Sequence, residues 1–172
     1  SKEVIMEQGF TLWLTGLTGS GKTTLARQVE EKLLERGLMV EVLDGEDVRQ
    51  ELSPNLGFTR QDREAHLKRI SYLCRLLNRN GVNAIVPVVS PFRDMRETMR
   101  TQLGRFVEVY VNCPLTRCME RDTTGFYARV HAGEIHHVAG MDVPYEQPLA
   151  PEVEILTDWE TPEAGAAKIV RT

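Results

Sequence analysis

Eight consecutive residues, Gly16-Leu17-Thr18-Gly19-Ser20-Gly21-Lys22-Thr23, satisfy the pattern G-x-x-x-x-G-K-[ST] at every fixed position. These residue types in this order suit one kind of chemistry. Glycines let the backbone bend closely around an anion, so that successive N–H groups and the positive end of a following helix converge on a phosphate. Lys22 adds a point charge and Thr23 a hydroxyl ligand for magnesium. The stretch predicts a nucleoside triphosphate site with Mg²⁺.

Other residues suit the second half of a phosphoryl transfer. Asp44 opens an acidic cluster, Asp44-Gly45-Glu46-Asp47-Val48-Arg49, directly after an apolar run. An acid at such a strand end is placed for the γ-phosphate and its metal, although a solvated turn would carry the same residues. Arg63 and His66 are one helical step apart and share a face; with Phe58 just before them they form a wall suited to an aromatic, anionic ligand. Surface solvation is the competing reading. Ser90 ends another apolar run, where many phosphate-loop enzymes carry the magnesium-binding acid, and Asp44 is the substitute here. His131, His136 and His137 have no partner ligands at metal spacing and read as solvent-facing or substrate-facing.

A parallel sheet is needed to bring these groups together. Phe10 to Thr15 reads as a strand, and Leu25, Val29 and Leu33 recur as one helix face that runs to about Arg36 and stops at Gly37. Val40, Val42 and Leu43 form a second strand, expected beside the first. Thr59-Arg60-Gln61-Asp62 has the form of a capping box, opening a helix with the stripe Leu67, Ile70, Cys74 and Leu77 and a stop at Asn80-Gly81. Ala84 to Val89 reads as a buried strand in which Pro87 marks a bulge. Phe106 to Asn112 is a fourth strand, and Pro114 starts a helix reaching Arg121. Residues 121–150 show no helix or strand period and contain Gly125, Gly133, Gly140, Pro144 and Pro148, which predicts a functional lid. Val153 to Leu156 is the last strand, and Thr161-Pro162-Glu163 opens a closing helix. The expected fold is α/β, a five-stranded parallel sheet flanked by helices, with Gly16, Asp44 and Ser90 delivered to one edge. Residues 1–9 read as a lead-in or linker and 10–172 as one domain.

The 172 residues, 41% hydrophobic and 27% charged, suffice for one domain with a proper core. A net charge of −4 argues against a nucleic-acid partner. No segment approaches 18 consecutive apolar residues and no signal-peptide pattern is present, so no membrane partner is expected and the cytoplasm is the expected location. Cys74, Cys113 and Cys118 sit inside apolar runs and read as reduced core thiols. A start at Ser1 leaves a longer parent chain open.

Taken together, the landmarks resemble the adenylyl-sulfate kinase family of P-loop kinases from Gly9 to the end. The resemblance rests on Leu12-Trp13-Leu14-Thr15-Gly16-Leu17, Leu43-Asp44-Gly45, Leu56-Gly57-Phe58 with Asp62-Arg63, and Ser90-Pro91. It continues through Arg121-Asp122, Gly125-Phe126-Tyr127, Ala132-Gly133-Glu134-Ile135 and Asp142 with Pro144-Tyr145-Glu146. It implies an ATP-dependent kinase of adenosine 5′-phosphosulfate in sulfate assimilation, with ATP and Mg²⁺ as cofactors. ATP would be held by Gly16 to Thr23, Thr24 and Arg121, and magnesium by Thr23 and Asp44. The acceptor would meet Asp44, Asp47, Arg49, Phe58, Arg63, His66, Ser90, Thr124 and Phe126. Lys22, Asp44 and Ser90 would be catalytic. Ser90 matches a serine assigned in the family as a phosphorylated intermediate, but two nucleotides meeting face to face need no covalent relay, and a hydrogen bond to substrate is expected instead.

The family usually reads Asp-Asn at Glu46-Asp47, Asn at His66, and Lys-Gly-Leu-Tyr-Lys-Lys-Ala-Arg across Thr124 to His131. A sister kinase with another acceptor and a non-catalytic nucleotide-binding domain stay open as alternatives. So do a homodimer and fusion to ATP sulfurylase.

Overall fold

The computed structural model describes residues 7–172. Of the expected lead-in, residues 1–6 lie outside the described residues, while Gly9 N donates to Asn78 O and Arg105 donates to Gln8 O. Twelve elements follow: β1 (Thr11–Thr15), α1 (Lys22–Glu35), β2 (Val40–Val42), α2 (Gly45–Leu52), α3 (Arg60–Arg79), β3 (Asn83–Pro87), α4 (Arg93–Leu103), β4 (Phe106–Asn112), α5 (Leu115–Arg121), α6 (Phe126–His131), β5 (Val153–Leu156) and α7 (Pro162–Val170). All four strand pairings are parallel, in the order β2-β3-β1-β4-β5.

Alternation along β1 builds the two layers. Leu12 and Leu14 join Leu25, Val29 and Ile169 beneath α1 and α7, whereas Trp13 joins Ile70, Met95 and Met99 beneath α3 and α4. Burying side chains of this size stabilises the sheet by roughly 1.5–3 kcal/mol each. The helix signals act as read. Gly37 takes φ 78 past the end of α1, with its N–H on Leu34 O, and the Thr59 hydroxyl accepts from Asp62 N at 3.1 Å. Cys74, Cys113 and Cys118 are free, buried thiols.

Four local expectations are corrected. β2 does not lie beside β1; it pairs with β3 at the margin of the sheet. Its sequence Val-Glu-Val leaves Glu41 exposed and suits an edge, whereas all five residues of β3 are buried and suit the interior. Pro87 makes no bulge and pairs in register with Leu14. The N–H groups of Ala84 and Val88 point to β1 and that of Asn83 to the β2 side, so the donor that Pro87 lacks would face β2 beyond its last pair, Val42 with Ile85. The acidic cluster after Asp44 is the helix α2 and not a turn, capped by the Asp44 carboxylate on Glu46 N at 3.3 Å. Finally, the lid segment contains the six-residue helix α6.

Candidate active site

The phosphate loop leaves the carboxyl end of the central strand and runs into α1. Gly19 and Gly21 adopt φ 84 and 104, which side chains with a Cβ avoid. A Cβ on Gly16 would lie 2.4 Å from Val111 O, so the loop is pressed onto β4. Lys22 directs its ammonium onto the carbonyls of Gly16 and Leu17, at 3.0 and 2.8 Å. Burial pulls its pKa from 10.5 down to about 8, against the opposing influence of Cys118 and Asp44. Ser20 Oγ is buried inside the loop with no hydrogen-bond partner. That orphaned hydroxyl and the open glycine cradle fit a polyphosphate. Thr23 and Thr24 are exposed at the start of α1.

A cavity of about 470 Å³ extends from the loop and is lined by Lys22, Thr23, Arg121, Thr157, Glu160 and Pro162, among others. Arg121 donates to Thr157 O at 2.5 Å, and Thr157 Oγ1 donates to Ser20 O at 2.7 Å. Thr157, Glu160 and Pro162 belong to no motif that singles them out in the sequence. Their one signal is position, since Thr157 directly follows the last parallel strand, whose carboxyl end belongs to the ligand-bearing edge. Among the described residues no group of three His, Cys, Asp or Glu side chains could hold a metal. A magnesium ion would therefore depend on Thr23, Asp44 and bound phosphate oxygens, a donor set of hard oxygens that suits it.

α2, α3 and the connection between them assemble the aromatic and cationic wall. Phe58 is half-exposed, with the Arg49 guanidinium 4.0 Å and that of Arg63 5.4 Å from its ring centroid. Arg49 also donates to Gly57 O at 3.0 Å, and Arg63 to Phe58 O at 3.1 Å and to His137 O at 2.7 Å, which ties the lid to α3. Burial, and secondarily each other's charge, pull the pKa of Arg63 down to about 10. Asp47 is exposed on α2.

His66 is buried and does not join this wall as an open ligand. Its Nδ1 lies 2.8 Å from Ser53 Oγ, and Ser53 Oγ accepts from Arg69 at 3.0 Å. The Ser53 proton is thereby free to go to Nδ1, which assigns the proton of the neutral ring to Nε2. Nε2 is buried and unpartnered. Burial, followed by the charges of Arg49 and Arg69, lowers the His66 pKa to about 4.

Ser90 also departs from expectation. It is 2% exposed, takes φ 39, and its hydroxyl accepts from Trp13 Nε1 and donates to Thr15 Oγ1, both at 3.0 Å. A hydroxyl committed on both sides inside the protein is not presented to a substrate, and the expected substrate contact gives way to a structural one. Thr124 is exposed, but its hydroxyl donates to Asp122 at 2.7 Å and accepts from Phe126 N, capping α6. Phe126 packs edge-on to Tyr127 in a small lid core with Val130, Ile135 and Val138. Tyr127, whose hydroxyl donates to Thr18 O at 2.5 Å, binds that core to the phosphate loop. His131, His136 and His137 are exposed.

A parallel sheet with a phosphate loop on its central strand, faced by an arginine and aromatic wall beneath a lid, defines a phosphate-loop kinase. Residues 8–156 match the Adenylylsulphate kinase family, and the chain belongs to that family. The adenylyl-sulfate kinase of Rippkaea orientalis is 50% identical over 163 residues, 95% of this chain and 90% of that one. The Mycobacterium tuberculosis APS kinase CysC, solved in complex with AMPPNP and APS, has a TM-score of 0.90 at 39% identity and covers 95% of this chain and 96% of its own. A probable bifunctional SAT/APS kinase 2 from Sorangium cellulosum is 44% identical over 162 residues, 94% of this chain and 28% of that one.

Proposed function

We propose that the chain transfers the γ-phosphoryl group of ATP to the 3′-hydroxyl of adenosine 5′-phosphosulfate, giving 3′-phosphoadenosine 5′-phosphosulfate and ADP. The observation that supports this reading is that one chain carries two unlike groups of residues, a complete phosphate loop with an orphaned Ser20 hydroxyl and the Phe58 ring flanked by Arg49 and Arg63, with the Asp44 charge felt at Lys22. One group suits a triphosphate and the other a purine joined to an anion.

Gly16 to Thr24 hold the phosphates of ATP, and the cavity bounded by Arg121, Thr157 and Pro162 takes its nucleoside end. Lys22 leaves the carbonyls of Gly16 and Leu17 for the phosphates. Asp44 orients the 3′-hydroxyl and takes its proton late, as the new O–P bond forms and the bond to the β-phosphate oxygen breaks. Thr23 and Asp44 would hold Mg²⁺, which would offset the charge that the phosphates carry. Arg49, Phe58 and Arg63 bind the acceptor, Asp47 borders it, and closure of residues 121–150, with Thr124 and Phe126, excludes water. Ser90 and His66 act from behind, by shaping the strand end and the corner between α2 and α3.

Residues 10–172 form one kinase unit after the lead-in. Among the described residues no helix is long and apolar enough to cross a membrane, and the negative charge supports a cytoplasmic enzyme of small nucleotides. The bifunctional relative supports fusion to, or association with, ATP sulfurylase. A coupled assay of ADP release across a panel of hydroxyl acceptors, with the product identified by mass, tests the reading. Turnover confined to another acceptor would overturn it.

A further inference from the structure

Arg96 is 1% exposed on α4, and phosphoryl transfer as described makes no use of it. Its Nε donates to Glu108 Oε2 at 3.2 Å, one terminal nitrogen donates to Ser90 O at 2.6 Å, and the other to Glu146 O. The guanidinium carbon lies 5.7 Å from the Tyr145 ring centroid. Two of these bonds go to main-chain carbonyls of separate segments: Ser90, with φ 39 just after β3, and Glu146, where the lid segment returns to the body.

Further bonds join the same two segments. Glu146 N donates to Pro91 O at 2.9 Å, Arg93 N to Glu146 Oε1 at 3.0 Å, and Arg93 Nε to Gln147 O at 2.7 Å. The Tyr145 hydroxyl lies 2.8 Å from Thr15 Oγ1, the atom that accepts from Ser90. A buried ion pair is a poor source of stability, because desolvating both charges offsets their attraction and an apolar pair of equal volume does as well. An apolar pair cannot hold two carbonyls at fixed points, whereas a planar guanidinium with five donors can.

We propose that Arg96 is a positioning residue for the acceptor: by binding the Ser90 turn to the lid's return it sets the wall that the acceptor nucleotide meets, without touching either nucleotide. This rests on the function proposed above, in which residues 121–150 close over the acceptor.

The test compares Arg96→Lys with the double variant Arg96→Met/Glu108→Leu, which removes both charges together so that neither is left buried alone. The double variant keeps a cooperative thermal transition near that of the parent, while its KM for the acceptor rises about tenfold and its KM for ATP stays within about twofold. Arg96→Lys, which retains the charge opposite Glu108 but only a compact donor, recovers part of the loss. An unchanged acceptor KM in the folded double variant overturns the proposal. So does an equal rise in both KM values. If the double variant does not fold, Arg96→Lys decides alone: a several-fold rise in acceptor KM supports the proposal and parental values for both substrates overturn it. The acceptor used is whichever one the parent enzyme phosphorylates best, so failure of the functional reading is seen separately, in the parent.

Discussion

Lys22 is the residue whose chemistry changes most when ATP arrives. Burial holds its pKa at about 8, against 10.5 for an ordinary lysine. Between those values the unfolded chain binds more protons than the folded one, so the cost of burying the charge is fully present below pH 8 and fades as pH rises toward 10.5. A bound polyphosphate supplies the missing negative charge and restores the proton. ATP binding at about pH 9 should therefore take up protons and at about pH 7 take up almost none, a difference read by calorimetry in buffers of unlike ionisation enthalpy. Lys22→Ala should abolish that uptake and lower turnover about 10²–10³-fold, the scale of losing one charge-stabilising donor. His66 works in the opposite pH range. With a folded pKa near 4 and an ordinary value of 6.5, it costs nothing above pH 6.5, and stability is lost as pH falls from there toward 4, because the unfolded chain takes the proton first. His66→Asn should flatten that acid limb. Equal losses of urea midpoint between about pH 7 and 5 in parent and variant would refute it.

At the scale of elements, α1 and α7 pack so closely that a Cβ on Gly165 would lie 2.8 Å from Leu25 Cδ2 and 3.0 Å from Ile155 Cγ2. Leu25 and Ile155 are themselves buried. Gly165→Ala should thus cost about 1–3 kcal/mol through overpacking, offset by up to about 1 kcal/mol of helix propensity, and thermal unfolding measures the difference. In the lid, with the acceptor site as proposed above, Thr124→Lys should lower the KM of the doubly anionic substrate a few-fold, with little change for ATP and a weaker effect at high salt. The variant keeps the Asp122 half of the α6 cap, since Tyr127 N still donates to Asp122 Oδ2 at 2.8 Å. Strand and helix signals were legible wherever period and caps agreed, as at Phe106–Asn112, Val153–Leu156 and Thr59. The lid helix was not legible, because six residues give no period and its cap, Asp122 with Thr124, precedes a glycine that resembles a loop.

For the whole molecule, the sequence disclosed which strands carry the site and the families of group they present, and it misplaced β2, because adjacency along the chain says nothing about a strand inserted later between two others. It also could not show that the hydroxyl of Ser90 faces Trp13 and Thr15, that Arg63 gives one terminal nitrogen to the His137 carbonyl, or that Arg96 joins two segments; those facts depend on rotamers and on contacts 50 to 77 residues apart. Binding should register globally. At about 100 times its Kd a nucleotide stabilises by about 2.7 kcal/mol, so MgATP should raise the Tm by roughly 5–10 °C. Lys22→Ala should lose most of that rise, and an identical shift in both proteins would place the triphosphate elsewhere.

Asp44 follows a strand held on one side only, through three residue pairs with β3, whereas the phosphate loop leaves a strand paired on both sides. Over generations of sequence drift this asymmetry gives the two halves of the enzyme unequal freedom. The half that handles the triphosphate is pinned from both flanks, and a small displacement there disturbs the centre of the sheet. The half that selects the hydroxyl can shift by tenths of an ångström at little cost to the rest. Such a scaffold can retain its phosphate donor while its descendants sample new acceptors, and His66, whose ring meets Ser53 at the end of α2, falls in the half where sampling is cheap.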